Sequence, residues 1–109
     1  MRIITNDEQL VVGRKYMLVR DMWYMDLENF FSSDVRKNWD TLQEVVKVER
    51  REGKYDYGVV FPAGTVLKYV YNDDSAGGGY DFIVGDTTAT VGFSWLADEG
   101  FGDFVIELD

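Results

Sequence analysis

The sequence predicts one mainly β domain spanning residues 1–109, built as a small antiparallel barrel of six to seven strands with one short helical insertion. Three observations support this fold class. The length of 109 residues suits a single hydrophobic core. Apolar and polar residues alternate with a period of two in several short runs, which is typical of half-buried strands. Gly, Pro, Asn and Asp residues separate those runs at close intervals, as turns do in small all-β domains.

Six runs carry the strand signal. They are KYMLVR at 15–20, VVKVERR at 45–51, TVLKYVY at 65–71, YDFIV at 80–84, ATVGFSW at 89–95 and FVIEL at 104–108. Turn signals lie between them, at 52–54, 62–64, 72–79, 85–87 and 100–102. In the last run, alternation predicts that Phe104, Ile106 and Leu108 face the core and that Val105 and Glu107 face outward.

The segment 26–45 has a different pattern, which predicts the helical insertion. Its apolar residues follow one another largely at spacings of three and four, which is typical of a helix: Leu27, Phe30, Phe31, Val35, Trp39 and Leu42. The polar run at 32–34 divides the segment, so we expect one helix or two short ones. Ser33 or Asp34 is suited to cap the second piece, because both side chains can accept a hydrogen bond from a free backbone N–H.

The order of these elements resembles an SH3-like small β-barrel, in which a long loop follows the first strand. The resemblance rests on GRKYMLVRD at 13–21 and on the turn and strand FPAGTVLKYV at 61–70. It implies a barrel architecture for most of the chain. The excursion at 21–43 lacks the acidic and aromatic motif of peptide-binding SH3 domains, so binding of proline-rich peptides is not implied.

The residue types that carry most enzyme chemistry are missing. The chain contains no Cys and no His, which removes disulfides, thiolate nucleophiles and the commonest transition-metal ligand. Its serines therefore have no histidine to activate them. The run NDDSAG at 72–77 matches part of a calcium-binding loop, but Ala76 and Ile83 stand where two ligands are required. We expect no catalytic residue, no cofactor and no metal ligand.

Negative charge is concentrated in the C-terminal part of the chain. Residues 1–68 hold eleven acidic and eleven basic residues, whereas residues 69–109 hold nine acidic residues and no basic one, which accounts for the net charge of −9. A direct nucleic-acid binder would carry a basic stripe instead. The charge therefore predicts a protein partner with a basic surface and no direct binding of nucleic acid.

The C-terminal stretch offers a specific surface for such a partner. If 103–109 is a strand, Asp103, Val105, Glu107 and Asp109 face outward in one row, and successive outward positions are about 6.8 Å apart. Asp98 and Glu99 lie in the preceding turn. Such a row can stand in for the phosphates of a nucleic-acid strand and block a basic groove. The alternative is a solvated strand face that keeps the protein soluble and discourages edge pairing.

A second surface is predicted in DMWYMDLENFF at 21–31. This segment holds six large apolar side chains: Met22, Trp23, Tyr24, Met25, Phe30 and Phe31. They exceed what one short helix face can bury, and Trp, Tyr and Met are enriched at the centres of interfaces. The segment is therefore either a binding or homodimerising patch or the closure of one end of the barrel.

These observations predict a non-enzymatic protein-binding module or inhibitor. Seven residues are expected to contact the partner: Trp23, Tyr24, Trp95, Asp98, Glu99, Asp103 and Glu107. Small acidic inhibitors from phages and mobile elements share this general composition. No run approaches the roughly 20 apolar residues of a membrane helix, and the polar run 6–8 stands where a signal peptide is apolar, so a cytoplasmic protein without membrane contact is expected. The alternative is a carboxylate-based enzyme or a divalent-metal module using Asp73 and Asp74.

Overall fold

The structure is a computed structural model that describes residues 2–5, 7–28, 34–50, 57–73, 79–93 and 105–108. Within these residues it contains nine strands and two short helices. The strands are β1 (Arg2–Ile3), β2 (Lys15–Leu18), β3 (Met22–Asp26), β4 (Lys47–Arg50), β5 (Tyr57–Phe61), β6 (Val66–Asp73), β7 (Gly79–Val84), β8 (Thr90–Gly92) and β9 (Val105–Glu107). The helices are α1 (Asp34–Lys37) and α2 (Trp39–Leu42), and a 3₁₀ turn spans Asp7–Gln9. The predicted mainly β class is confirmed.

The strands form two antiparallel sheets. The larger has six strands in the order β1-β9-β2-β6-β7-β8, and the smaller has three in the order β3-β5-β4. The last strand in sequence, β9, lies between β1 and β2. All six predicted strand runs contain a strand. The other three, β1, β3 and β5, lack clear alternation, since β1 has only two residues and β5 is buried from Gly58 to Phe61.

One core lies between the inward faces of the two sheets. Phe61 of the smaller sheet packs edge-on against Phe93, and Phe93 packs against Phe82 of the larger sheet, with ring centroids 5.2 and 5.6 Å apart. The two helices add Val35 and Leu42, both fully buried. The second face of each sheet points away from this core.

The helical insertion is confirmed as two short helices within the predicted segment. Asp34 is the first residue of α1, while Ser33, Phe30 and Phe31 lie outside the described residues. The aromatic segment 21–31 is expected from its sequence to be a loop that leads into the helical insertion, but residues 22–26 instead form β3. None of the helices in the described ranges has both the length and the apolar character needed to cross a membrane.

Two predicted turns are explained by glycine. Gly64 and Gly85 have φ angles of +92° and +55°, a region that side chains with a Cβ rarely adopt. Gly64 donates its backbone N–H to the carbonyl of Leu18 at 2.7 Å. The turn at 62–64 is thereby fixed against the end of β2, and the chain enters β6 in a defined register.

The faces of β9 are opposite to those predicted. Val105 and Glu107 are 1% and 7% exposed, whereas Ile106 and Leu108 are half-buried. The prediction was wrong because both sides of β9 carry apolar residues, and alternation does not say which set faces the core. A shift of one residue exchanges the two faces. The outward position assigned to Glu107 in the carboxylate row is therefore incorrect.

Candidate functional site

Trp23 lies on the outer face of the smaller sheet, over Gly58. Register places Trp23 opposite Val60, and Val60 points away from the core side chains Val59 and Phe61. A Cβ atom added at Gly58 would overlap three adjacent carbons of the indole six-membered ring, Cζ2, Cε2 and Cη2. That is the geometry of an atom above the ring face. The indole therefore stacks on the backbone of β5, and only glycine allows so close an approach.

Two carboxylates flank the stacked indole. Asp26, Gly58 and Glu49 form one row across β3, β5 and β4, so both acidic residues share the outer face with Trp23. The indole Nε1–H donates to Oδ1 of Asp26 at 3.2 Å, which fixes the ring orientation. On the far side, Glu49 is exposed and lies 4.0 Å from Nζ of Lys47, an exposed ion pair of little energetic weight. A half-buried aromatic face between two carboxylates suits a cationic group.

Tyr24 points to the other side of β3 and takes part in the packing between the sheets. Its hydroxyl donates to the carbonyl of Gly92 at 2.7 Å. Its ring packs edge-on against Phe61 and Phe93, with centroids 5.3 and 5.4 Å apart. Sequence reasoning grouped Tyr24 with Trp23 as a partner contact, whereas the described contacts of Tyr24 join β3 to β8 and to the core.

Glu107 is held inside the molecule by Arg14. Oε1 of Glu107 accepts a hydrogen bond from a guanidinium N–H of Arg14 at 2.7 Å, and the Glu107 side chain is only 10% exposed while that of Arg14 is 59% exposed. This hydrogen bond raises the pKa of Arg14 above its ordinary value. The pair places a neutralised carboxylate at the end of the core face, so Glu107 does not offer its charge to a partner.

The other predicted partner residues fall outside the described part of the chain. They are Trp95, Asp98, Glu99 and Asp103. Of the nine acidic residues after position 68, the structure places the side chains of Asp81, Asp86 and Glu107, which are half-buried, exposed and buried. The acidic surface predicted at the C-terminal end therefore stays a prediction, now without Glu107.

Gly58, Asp26 and Glu49 were not singled out from the sequence. One signal for Gly58 exists, because an isolated glycine within an apolar strand run often marks the close approach of another group. No sequence signal pairs Asp26 with Glu49, since the row that joins them depends on the register of two strand pairs. Trp23 was predicted, but as part of a loop-and-helix patch rather than on a strand.

The structure also bears on the metal and enzyme alternative. Within the part of the chain that the structure describes, no three Asp or Glu side chains come together in a way that could hold a metal ion. Asp74, one of the two candidate ligands, lies outside that part.

Comparison with known proteins does not assign this chain to a family. No protein-family model, curated protein or solved structure matches this chain. The resemblance to an SH3-like barrel therefore stays a prediction.

Proposed function

We propose that this protein is a non-enzymatic protein-binding module that recognises a basic segment of its partner. The observation that carries the proposal is the indole of Trp23 stacked on Gly58 between Asp26 and Glu49. A Lys or Arg side chain of the partner would lie on the indole face and pair with the flanking carboxylates. The Trp ring is the strongest aromatic partner for a cation, at about 0.5–2 kcal/mol depending on desolvation.

The stacked ring is also pre-organised for binding. The hydrogen bond from Nε1 to Asp26 and the contact with Gly58 restrict the rotation of the side chain. A side chain that is ordered before binding loses little entropy when a partner arrives, a saving of about 0.5–1.5 kcal/mol for a rotamer-rich residue. A half-buried Trp that is fixed in the free protein has the properties of an interface hot spot.

In its more specific form, the proposal is that the protein inhibits its target by occupying a nucleic-acid-binding site on it. The absence of any basic residue after Lys68 supports it, because that part of the chain carries nine acidic residues and no positive charge of its own. Glu107 is the one of the nine that is paired with Arg14. Asp98, Glu99 and Asp103 would take the place of phosphates. A cytoplasmic location, an origin in a phage or mobile element and homodimerisation through 22–31 belong to this proposal as well.

The test is affinity capture from a nuclease-treated lysate with four baits. They are wild type, Trp23→Ala, an Asp98→Lys/Glu99→Lys/Asp103→Lys variant, and Tyr57→Ala as a matched control. Tyr57 is a 52% exposed aromatic residue at the first position of β5, so its loss tests whether any exposed ring on this sheet would serve. Thermal unfolding of each bait confirms that it is folded.

The outcomes separate the forms of the proposal. We expect a basic protein that is retained by wild type and Tyr57→Ala and lost with Trp23→Ala. Loss with the triple variant, together with displacement by added DNA, supports the nucleic-acid mimic. Equal retention by all four baits contradicts the proposal, because neither surface would then contribute to binding.

A further inference from the structure

The outer face of the larger sheet carries an apolar row across four strands. Register aligns Ile3, Ile106, Met17 and Val66 on β1, β9, β2 and β6. Ile3 is 58% exposed, and the other three are half-buried. None of these four belongs to the core cluster, whose members on the same strands are their neighbours in sequence, such as Leu18, Leu67 and Val105. The row therefore lies on the surface of the sheet opposite to the core.

The next row on the same face is basic. Lys15 of β2 lies directly opposite Lys68 of β6, and Lys68 lies opposite Ile83 of β7. The Cα atoms of such cross-strand pairs are about 5 Å apart, and like charges at this spacing destabilise a sheet. Both lysines are exposed. Among the described residues, no carboxylate lies within ion-pair distance of either ammonium group.

This concentration of positive charge is unusual in a chain with a net charge of −9. Lys68 is the last basic residue in the sequence, and its cross-strand partner is another lysine rather than one of twenty acidic residues. The two lysines repel each other in the free protein, so their placement favours a function in which a negative group comes between them.

A groove adjoins this basic row. It has a volume of about 460 Å³ and is lined by Gly13, Arg14, Lys15, Glu107 and Leu108. Arg14 and Glu107, which both line the groove, are paired with each other. Lys15 is the remaining charged residue among the five. Leu108 donates its backbone N–H to the carbonyl of Lys15 at 3.0 Å, so the groove lies at the Lys15 end of the basic row.

We propose that the outer face of the larger sheet is a docking surface for a protein segment that presents apolar side chains beside a carboxylate. The apolar side chains cover the row from Ile3 to Val66, and the carboxylate lies between Lys15 and Lys68. Charge complementarity selects this occupant. A second copy docked face to face by a two-fold axis would bring the same lysines together, and the net negative charge of the chain opposes an anionic membrane. The surface is separate from the Trp23 site, and it takes a partner segment of opposite charge.

The test is selection of binders from a random peptide library on immobilised protein. The key variant is Lys15→Glu/Lys68→Glu, which reverses the sign of the surface but keeps a like-charge pair across the strands, so its folding stability is matched to wild type. Ile106→Gln tests the apolar row independently. Arg36→Glu/Lys37→Glu changes the net charge by the same amount at exposed positions of α1, whose Val35 packs in the core rather than on the outer face of the larger sheet.

We expect wild type and the α1 variant to select peptides that combine Asp or Glu with large apolar residues. The selected peptides should bind Lys15→Glu/Lys68→Glu and Ile106→Gln roughly tenfold more weakly or worse, and added salt should weaken them further. The proposal is overturned if the selected peptides are basic, or if both surface variants bind them as wild type does. Concentration-dependent self-association abolished by Ile106→Gln, or binding to anionic vesicles in place of peptides, would also overturn it by identifying a different occupant.

Discussion

The outer faces of the two sheets differ although both sheets cover the same core. On the smaller sheet, one aromatic ring is fixed over a glycine and flanked by Asp26 and Glu49. On the larger sheet, an aliphatic row from Ile3 to Val66 lies beside two lysines that repel each other. The first face suits a cationic partner group and the second an anionic one.

This difference shows where binding specificity can arise in a small β domain. The inward faces must be apolar and complementary, because they share the rings of Phe61, Phe82 and Phe93. The outward faces are not constrained by that packing. A surface that keeps an aromatic ring over glycine, or two like charges in register, sacrifices some folding stability, and such sites are candidates for function.

The largest predicted change in the free energy of unfolding distinguishes the inward side of β9 from its outward side. Val105→Asp places a charge at a 1% exposed position and should lower the free energy of unfolding by roughly 3–5 kcal/mol. Ile106→Asp, on the half-buried outer face, should cost about 1 kcal/mol. Urea denaturation of both variants measures the difference. Equal losses, or a larger loss for Ile106→Asp, would show that the faces of β9 are assigned incorrectly.

The next effect tests the stacking of Trp23 on Gly58. Gly58→Ala should destabilise the protein by about 1–3 kcal/mol, because the new methyl group displaces the indole from the backbone. In a Trp23→Ala background the same substitution should be neutral or stabilising by about 0.5–1 kcal/mol, since alanine suits a strand better than glycine does. A double-mutant cycle by urea denaturation measures this coupling. Additive effects would mean that the ring does not rest on Gly58.

The comparison also shows how far the sequence alone could lead. Alternation was sufficient for β7, where it places Tyr80, Phe82 and Val84 on one face, and all three are buried. It failed for β9, because apolar residues occupy both of its faces and the choice between them depends on pairing with β1 and β2. Neither proposed surface could be predicted from alternation for the same reason, since strand register brings the residues of each surface together.

The prediction for the aromatic segment at 22–26 was wrong for a different reason. Met22, Trp23, Tyr24 and Met25 are all large, so no period distinguishes a strand from a loop or helix there. The register also shifts between Trp23 and Met25, which interrupts any simple alternation. Trp23 could be singled out by its residue type, but its outward direction could not be predicted without the position of Gly58.

The smallest predicted effect concerns the lysine pair, and it has the opposite sign. Lys68→Glu should raise the free energy of unfolding by about 0.2–1 kcal/mol, because an opposite-charge pair with Lys15 replaces cross-strand repulsion. High salt should reduce the gain. Lys37→Glu on α1, with the same change in net charge at another exposed position, is the control and should give no such gain.

The same Lys68→Glu variant should no longer bind acidic peptides on the outer face of the larger sheet. A variant that is more stable yet binds less well would show that the lysine pair is retained at the expense of folding stability. If Lys68→Glu instead destabilised the protein, the repulsion between the two lysines would not be the dominant interaction at that position.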